Sequence, residues 1–243
     1  MITSNALLQQ KITEYTFAIE RYINKRIYKQ IERTVSFGII GLQLMLALSF
    51  LWAHPLFNLQ NALALIIAYV FADFINGLVH MYMDNNTHYT SFAGPFIAAF
   101  HLHHTKHRYQ ERPLFRVYFD ESGTKFWLLG YLVLLALVQT VKPLNTPLYA
   151  GFLFFALFSS LAEVSHYWCH NATEENSCIL WLQRHGILLS KAHHKAHHGS
   201  DNTQYAFLNG MTDPLINVIA GKYCKGYKNH ADQHTKRYQK NRY

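Results

Sequence analysis

Acidic residues and cysteines are scarce in this 243-residue chain, and both shortages narrow the class of protein. The chain has 14 Asp and Glu against 22 Lys and Arg, and its three cysteines form no CxxC pair. An odd number of dispersed cysteines argues against a disulfide framework and against a thiolate metal cluster. The net charge of +8 does not indicate nucleic-acid binding, because the basic residues form no stripe. They lie outside the apolar runs, which suits anionic lipid headgroups.

Charged side chains are absent from long stretches of the chain. No Asp, Glu, Lys or Arg occurs between Arg33 and Asp73. Four apolar runs approach the roughly 20 residues that cross a bilayer, and each predicts a transmembrane helix. These runs are residues 37–53, 59–79 and 126–141, and a run from 147 through 162. The predicted fold class is therefore all-α, an integral membrane bundle of four transmembrane helices with a cytoplasmic histidine-rich cap.

The distribution of basic residues orients the predicted spans. If the N-terminus is cytoplasmic, every Lys and Arg except Lys142 falls on the cytoplasmic side, as the positive-inside rule requires. The same orientation places every histidine except His54 on that side or at the inner ends of the spans. We therefore predict that both termini and the metal site are cytoplasmic, in a bacterial inner membrane or the endoplasmic reticulum.

Three segments are predicted along the chain. Residues 1–33 have apolar side chains at helical spacing, which indicates an amphipathic helix, either on the membrane surface or packed against the protein. Residues 34–221 form the four-span domain. Residues 222–243 carry seven Lys or Arg against one acid, Asp232, and are predicted to be a solvated or lipid-contacting basic tail.

Histidine is as abundant as acidic residues are scarce. Sixteen histidines occur, and thirteen of them lie between His80 and His198. Eleven of these thirteen fall into four clusters: His80 with Asp84; His101, His103, His104 and His107; His166 and His170; and His193, His194, His197 and His198. Pairs at i,i+4 share one helix face and can bind one ion. Because about eight imidazoles exceed what one tetrahedral zinc uses, we predict two metal ions.

Ligand type alone leaves the metal open, since imidazole binds zinc, iron, copper and nickel. The location favours iron. A lipid chain descending between the helices would meet the histidines at the mouth of the bundle, and attack on an unactivated C–H bond needs the oxygen chemistry that non-haem iron supplies.

Four carboxylates accompany the histidines. Asp73, Asp84 and Glu163 lie on the predicted helices that carry histidines, and we predict that they orient the metal-bound imidazoles. Asp84 is also a candidate ligand. Asp213 is predicted either to seat the lipid headgroup or to cap a turn before Pro214.

The motifs, in this order, resemble the lipid desaturase domain family, also called Kua proteins, which includes plasmanylethanolamine desaturase and a plastid desaturase of phosphatidylglycerol acyl chains. The matching segments are Ala72-Asp73-x3-Gly77-x2-His80-x3-Asp84, Phe100-x2-His103-His104, His166-x3-His170, His193-His194-x2-His197-His198 and Gly210-x2-Asp213. The resemblance implies two non-haem irons and eight ligands: His80, His103, His104, His166, His170, His194, His197 and His198. It leaves His101, His107 and His193 as additional ligands or as contacts behind the ligands.

The resemblance also implies an O2-dependent oxidoreductase that introduces a double bond into an alkyl or acyl chain of a phospholipid. No haem-binding or flavin domain is recognisable, so we expect a separate cytochrome b5-like or ferredoxin-like electron donor that docks near the basic tail. Two alternatives remain open. One is a di-iron fatty-acid or sterol hydroxylase, and the other is a membrane metal transporter or sensor, which would need more polar residues deep in the bilayer than Asp73.

Overall fold

The computed structural model describes residues 4–55, 58–104, 113–171 and 176–240, and their regular secondary structure is entirely α-helical. The helices of this described part are α1 (Ser4–Asn24), α2 (Arg26–Ala53), α3 (Leu59–Asn85), α4 (Gly94–Leu102), α5 (Leu114–Ser122), α6 (Phe126–Val141), α7 (Thr146–Asn171), α8 (Ser177–Arg184), α9 (Lys191–Gly199), α10 (Asp213–Tyr223) and α11 (Ala231–Lys240). The predicted all-α class is confirmed.

Three helices, α2, α3 and α7, are long and apolar enough to cross a bilayer. The helices α5 and α6 pass the same test only as a pair, and a bend of 87° separates them. α6 alone has 16 residues and is therefore about 24 Å long, shorter than a hydrocarbon core of roughly 30 Å. The part of the chain that the structure describes thus contains three candidate spans, or four if the bent pair crosses as one, where the sequence predicted four.

The candidate spans extend beyond the ends that charge alone predicted. α2 begins at Arg26, α3 continues to Asn85 and α7 continues to Asn171. The added turns contain polar residues, but many of these are buried against other helices, so the helices persist where the apolar runs stop. The break between α2 and α3 falls at the predicted place, and the Asn58 side chain caps α3 by accepting from the Asn61 backbone N–H at 2.8 Å.

The largest buried apolar cluster lies between α2, α6 and α7, and α3 packs along α7. Lipid tails are as apolar as these side chains, so close packing and interhelical hydrogen bonds, rather than hydrophobic burial, hold such helices together. Gln43 of α2 supplies two of these bonds. Its amide donates to the Ala156 carbonyl at 2.9 Å and to the Ser160 hydroxyl at 3.0 Å.

The N-terminal helix α1 packs against the protein. Tyr15, Ala18 and Ile19 are buried, and α1 contacts α4 and α11. The face of α1 that carries these three residues is therefore packed against the protein, as one of the two interpretations of residues 1–33 predicted. The segment is also not one helix, because α1 ends at Asn24 and α2 begins at Arg26.

The C-terminal segment corrects a sequence expectation. Residues 231–240 form α11, which packs on α1 and α4. Asp232, Thr235 and Tyr238 are buried. The described part of the predicted basic tail is therefore folded onto the protein and not solvated along its length. The composition did not predict this, because the excess of basic residues hides the face of α11 that packs against the protein.

Candidate metal centre

Four elements bring the clustered histidines to the same end of the bundle: α3, the C-terminal end of α4, α7 and α9. The structure assembles them into two adjacent groups, within each of which the candidate ligand atoms lie within 4.8 Å of one another. The first group consists of His103, His166, His170, His194 and His198. The second group consists of His80, Asp84, His104 and His197. All eight histidines predicted as ligands are in these groups.

His194 lies at the centre of the first group. Its Nε2 atom is 2.8 Å from Nε2 of His170, 2.9 Å from Nε2 of His198 and 3.0 Å from Nε2 of His166. A ring nitrogen has one N–H or one lone pair, so a single Nε2 cannot make three hydrogen bonds at once. Separations of about 3 Å are those of neighbouring nitrogens that each lie about 2.1 Å from a shared ion. The first group therefore has a geometry that fits a metal ion.

Asp84 lies at the centre of the second group. Its Oδ1 atom is 3.1 Å from Nε2 of His104, and its Oδ2 atom is 3.3 Å from Nε2 of His197 and 3.5 Å from Nε2 of His80. Although the residue is 1% exposed, neither oxygen makes a hydrogen bond of normal geometry with any residue that the structure describes. A buried carboxylate in this position is costly unless a cation balances it. Three imidazoles and one carboxylate suit a divalent first-row metal.

Contacts behind the second group fix the orientation of its imidazoles. Nδ1 of His80 lies 2.7 Å from the Tyr205 carbonyl oxygen, and Nδ1 of His197 lies 2.9 Å from the Thr203 carbonyl oxygen. A carbonyl only accepts, so each Nδ1 carries the proton and each Nε2 keeps a lone pair directed toward Asp84. Metal-binding histidines in proteins almost always have such a partner.

The electrostatic environments of the two groups differ. In the first group, burial lowers the pKa of His103 and of His194 well below the usual range, and the neighbouring imidazoles lower it further. In the second group, burial also disfavours the charged form of His104, but Asp84 and Asp232 outweigh it and raise the pKa to about 9. The first group is thus a set of neutral donors, whereas the second holds the negative charge that attracts a cation.

Comparison with known proteins places this site in a family. The family model described as "Lipid desaturase domain" matches residues 69–220, which is more than half of the chain and contains every member of both groups. The chain belongs to the lipid desaturase domain family. The predicted resemblance is confirmed.

A curated relative agrees with the family model. Over 162 residues the chain is 28% identical to "Fatty acid desaturase 4-like 1, chloroplastic" of Arabidopsis thaliana, a match that covers 65% of this chain and 52% of the relative. The chain therefore spans about half the length of that relative. No solved structure matches the chain.

The three carboxylates predicted to orient imidazoles of this lipid desaturase domain have different surroundings. Asp84 is itself a member of the second group, so its carboxylate could bind the ion directly instead of orienting an imidazole. Glu163 lies behind the first group, with Oε2 3.8 Å from Nδ1 of His166 and Oε1 3.1 Å from the Lys125 ammonium. Lys125 is 4% exposed, so its ammonium is buried between the helices.

Asp73 is the third of these carboxylates, and its hydrogen bonds go to a loop. Its oxygens accept from the backbone N–H groups of Asn209, Gly210 and Thr212 at 2.9–3.2 Å, and from the Thr212 hydroxyl at 2.7 Å. Asp73 therefore makes the polar contact that its burial in a span required. It anchors the loop before α10 rather than holding an imidazole directly.

The remaining predicted residues lie beside the two groups. His193 pairs with Asp213, with Nε2 2.5 Å from Oδ2, so of the two adjacent histidines it is His194 that enters the first group. Asp213 is 2% exposed and also accepts from the Ala206 N–H, which gives both oxygens protein partners and leaves its headgroup role a prediction. His101 bonds to Tyr89 and the Met83 carbonyl oxygen, and His107 lies outside the described residues.

A cavity of about 420 Å³ leads to both groups. His80, His103 and His166 form part of its wall. Much of the remaining wall is aromatic and comes from Phe96, Phe100, Phe126, Trp127 and Phe207. The candidate metal centre is therefore accessible from an apolar space between the helices.

Asp232 is the functional candidate that the sequence did not indicate. Its Oδ1 atom lies 2.9 Å from Nδ1 of His104, on the side of the ring opposite Asp84. The only available signal was that Asp232 is the single acid among seven Lys or Arg in residues 222–243. Charge counting assigned that acid to a solvated tail, because nothing in a sequence shows that residue 232 returns to residue 104.

Proposed function

We propose that this protein is a membrane desaturase that introduces a double bond into an acyl or alkyl chain of a phospholipid, with O2 as oxidant and two electrons from a separate donor. The observation that carries this proposal is the apolar cavity whose wall includes histidines of both groups. Removal of one hydrogen from each of two adjacent carbons, with reduction of O2 to two waters, balances with two electrons and two protons.

The shape and lining of the cavity favour a hydrocarbon chain as the occupant. Phe100 and Phe207 flank His80, with ring centroids 5.5 and 5.2 Å from its imidazole. Apolar walls around a few polar groups are typical of ligand cavities, and here the polar groups include the three histidines together with Glu121, Lys125 and Glu163. A larger groove of about 800 Å³ between α2, α5 and α7 contains no member of either group, so we do not assign the reacting chain to it.

Two iron ions are the cofactors we propose for the two groups. Five imidazoles would hold one ion, and three imidazoles with Asp84 would hold the other. When bound, non-haem iron supplies the activation of O2 that attack on an unactivated C–H bond requires. The family match supports iron, and the nitrogen-rich donor set is compatible with it. A transporter would instead need ligands along a path through the bilayer.

The protein's own groups have separate tasks in this proposal. The aromatic wall holds the chain against His80 and His166 and excludes water from the reacting carbons. Glu163 orients His166 through Nδ1, and its charge is balanced by Lys125. The Tyr205 and Thr203 carbonyl groups hold His80 and His197 with Nε2 toward the centre.

The proposed topology is the one that the positive-inside pattern favours. We propose cytoplasmic termini and a cytoplasmic metal centre, in a bacterial inner membrane or the endoplasmic reticulum. A cytochrome b5-like or ferredoxin-like donor would dock near the lysines of residues 222–240, since an acidic carrier is attracted to a basic surface.

The test combines metal analysis of the purified protein with product analysis. We expect about two irons per chain and, with lipid, O2 and a reductase system, a product two mass units lighter than the substrate. Phospholipids with an alkyl-ether chain, such as plasmanylethanolamine, and diacyl phospholipids should be supplied side by side to identify the chain class. His197→Ala is the control, because its ring is 0% exposed and lies in the second group.

Three outcomes separate the proposal from its alternatives. A product sixteen mass units heavier would indicate the hydroxylase. Zinc alone, or metal content unaffected by His197→Ala, would contradict an oxygen-activating centre. Two irons with a lighter product in the wild type only would support the desaturase.

A further inference from the structure

His104 has a carboxylate at each ring nitrogen. Nε2 lies 3.1 Å from Asp84 in the centre of the second group, and Nδ1 lies 2.9 Å from Oδ1 of Asp232. Asp232 is 2% exposed. Asp232 accepts a hydrogen bond from Nδ1 and so keeps a proton on that nitrogen. Nε2 can then give up its proton and offer a lone pair to a cation. Asp232 thus does for His104 what backbone carbonyls do for His80 and His197.

Asp232 is itself held in place by a charge. The Lys228 ammonium lies 3.0 Å from its other oxygen, Oδ2, and also donates to the carbonyl oxygen of His198. A buried carboxylate with a fixed cation on one oxygen and an imidazole on the other has little freedom to rotate. The pair therefore connects the second group, through His104, with the backbone of a first-group residue.

The segment that precedes Asp232 closes the C-terminal end of α9. The Tyr227 hydroxyl donates to the carbonyl oxygen of His197 and also lies 3.0 Å from the carbonyl oxygen of Ser200. The last carbonyls of a helix have no partners within it, and a hydroxyl or an ammonium that satisfies them fixes the last turn. That turn carries His197 and His198, so residues 227 and 228 restrain two candidate ligands through their backbone.

The turn before this segment depends on two particular residues, Asp201 and Gly226. The Asp201 carboxylate accepts from the backbone N–H groups of Tyr227 and Lys228 at 2.8 and 2.7 Å. Gly226 has φ of 88°, a left-handed conformation that favours glycine, and a Cβ there would lie 2.8 Å from the Asp201 side chain. The segment is therefore built to lie against α9.

We infer that the C-terminal segment, residues 226–240, is part of the metal centre and that Asp232 is a positioning residue for the ion of the second group. This inference rests on the proposed two-metal centre and goes beyond it, because the segment lies outside the family match at residues 69–220. Loss of a partner behind a metal-bound histidine typically weakens metal binding about 10- to 100-fold. The effect should fall on one of the two ions, since Asp232 contacts a ligand of the second group only.

The experiment measures metal affinity in Asp232→Asn and Asp232→Ala by competition with a chelator, in the full-length protein in detergent. We expect the metal content at a chelator concentration that leaves two ions on the wild type to fall to about one ion per chain. Asp232→Ala should show the larger loss, because the asparagine keeps one acceptor oxygen. If Asp232→Ala does not fold, Asp232→Asn, which preserves the side-chain volume, still decides the question.

Thr235→Val is the matched control. Thr235 lies on the same helix, is 0% exposed and donates only to the Ala231 carbonyl within α11, so it reports on damage to the helix alone. A second readout is the increase in unfolding temperature that added metal produces, which should shrink in the Asp232 variants and persist in Thr235→Val.

The outcomes also separate this inference from the proposed function. Two ions retained at wild-type affinity in Asp232→Asn and Asp232→Ala, or an equal loss in Thr235→Val, would overturn the inference and leave the desaturase proposal standing. A wild type that binds two zinc ions, with one lost in the Asp232 variants, would support the inference and overturn the desaturase. A wild type that binds no transition metal would overturn both.

Discussion

The two groups of ligands, although adjacent, are built differently. The first group has five imidazoles and no carboxylate, whereas the second has three imidazoles around Asp84. Two first-group members, His103 and His166, line the apolar cavity, but only His80 does so in the second group. The second group is enclosed instead by Tyr227 and Asp232 of the C-terminal segment. Both groups thus reach the proposed substrate cavity, and the second group also faces the C-terminal segment.

This difference indicates how each group would retain an ion. An ion in the first group would keep its full charge and depend on the number and orientation of neutral donors. An ion in the second group would be partly neutralised by Asp84 and attracted by Asp232 behind His104, so charge would contribute more to its affinity. Substitutions that alter donors and substitutions that alter charge should therefore separate the two groups.

The largest effect is expected from His194→Ala, which removes the nitrogen at the centre of the first group. Three first-group nitrogens lie within 3.0 Å of His194 Nε2, so this atom contacts more of the group's nitrogens than a peripheral ligand would. Its removal should therefore disturb the whole group. We expect about one ion per chain and a loss of turnover of more than about 100-fold. Iron analysis and product formation measure both. Retention of two ions with near-normal turnover would show that the first group is not a metal site.

Asp84→Asn tests the second group through charge rather than through shape. The amide keeps the volume of the side chain but removes the negative charge, and we expect the other ion to be lost and turnover to fall about 100-fold. Asp73→Asn is the matched control, since it neutralises a buried carboxylate on the same helix that binds the loop at residues 209–212.

For the Asp73→Asn control we expect two ions, together with about 2 kcal/mol less stability from the loss of charged hydrogen bonds. Thermal unfolding and metal analysis of both variants make the comparison. Equal metal loss in the two variants would mean that Asp84 acts through the fold and not through the ion.

A smaller effect is expected from Glu163→Gln, behind the first group. Glu163 contacts His166 at 3.8 Å and Lys125 at 3.1 Å but belongs to neither group, so both ions should remain. We expect turnover to fall about 10-fold because His166 is less well oriented. The spectrum of the bound metal should shift while its stoichiometry stays at two. Loss of an ion would assign Glu163 to the metal itself.

The sequence predicted the helical class and all eight clustered histidines, for physical reasons that can be named. Spacing of i,i+4 within a helix is a local property, so His166 and His170 could be paired without knowledge of the fold. Charge-free runs likewise located α2, α3 and α7. The resemblance, rather than the spacing, selected the full set of eight.

The features that the sequence did not predict depend on contacts distant along the chain. Asp232 reaches His104 across 128 positions, and Lys125 meets Asn76 and Glu163 inside the bundle. Composition assigned Asp232 to a solvated or lipid-contacting tail, because a count of charges records which charges are present and not which groups they contact. The sequence also did not predict the 87° bend between α5 and the short α6. Hydropathy indicates the length of an apolar run but not the direction of its helix axis.

The smallest effect is expected from His193→Ala, beside the centre of the first group. Successive residues of a helix point about 100° apart, so His193 faces Asp213 while its neighbour His194 faces the ligands. We expect two ions, turnover within about twofold of the wild type and about 1 kcal/mol less stability from the lost hydrogen bond. The measurement compares the metal content of His193→Ala with that of His194→Ala, and any difference reflects the direction of each side chain because the two substitutions are the same. If His193→Ala also lost an ion, Asp213 and the loop that Asp73 anchors would become part of the metal centre. The centre would then include the residues that contact the first group as well as its ligands.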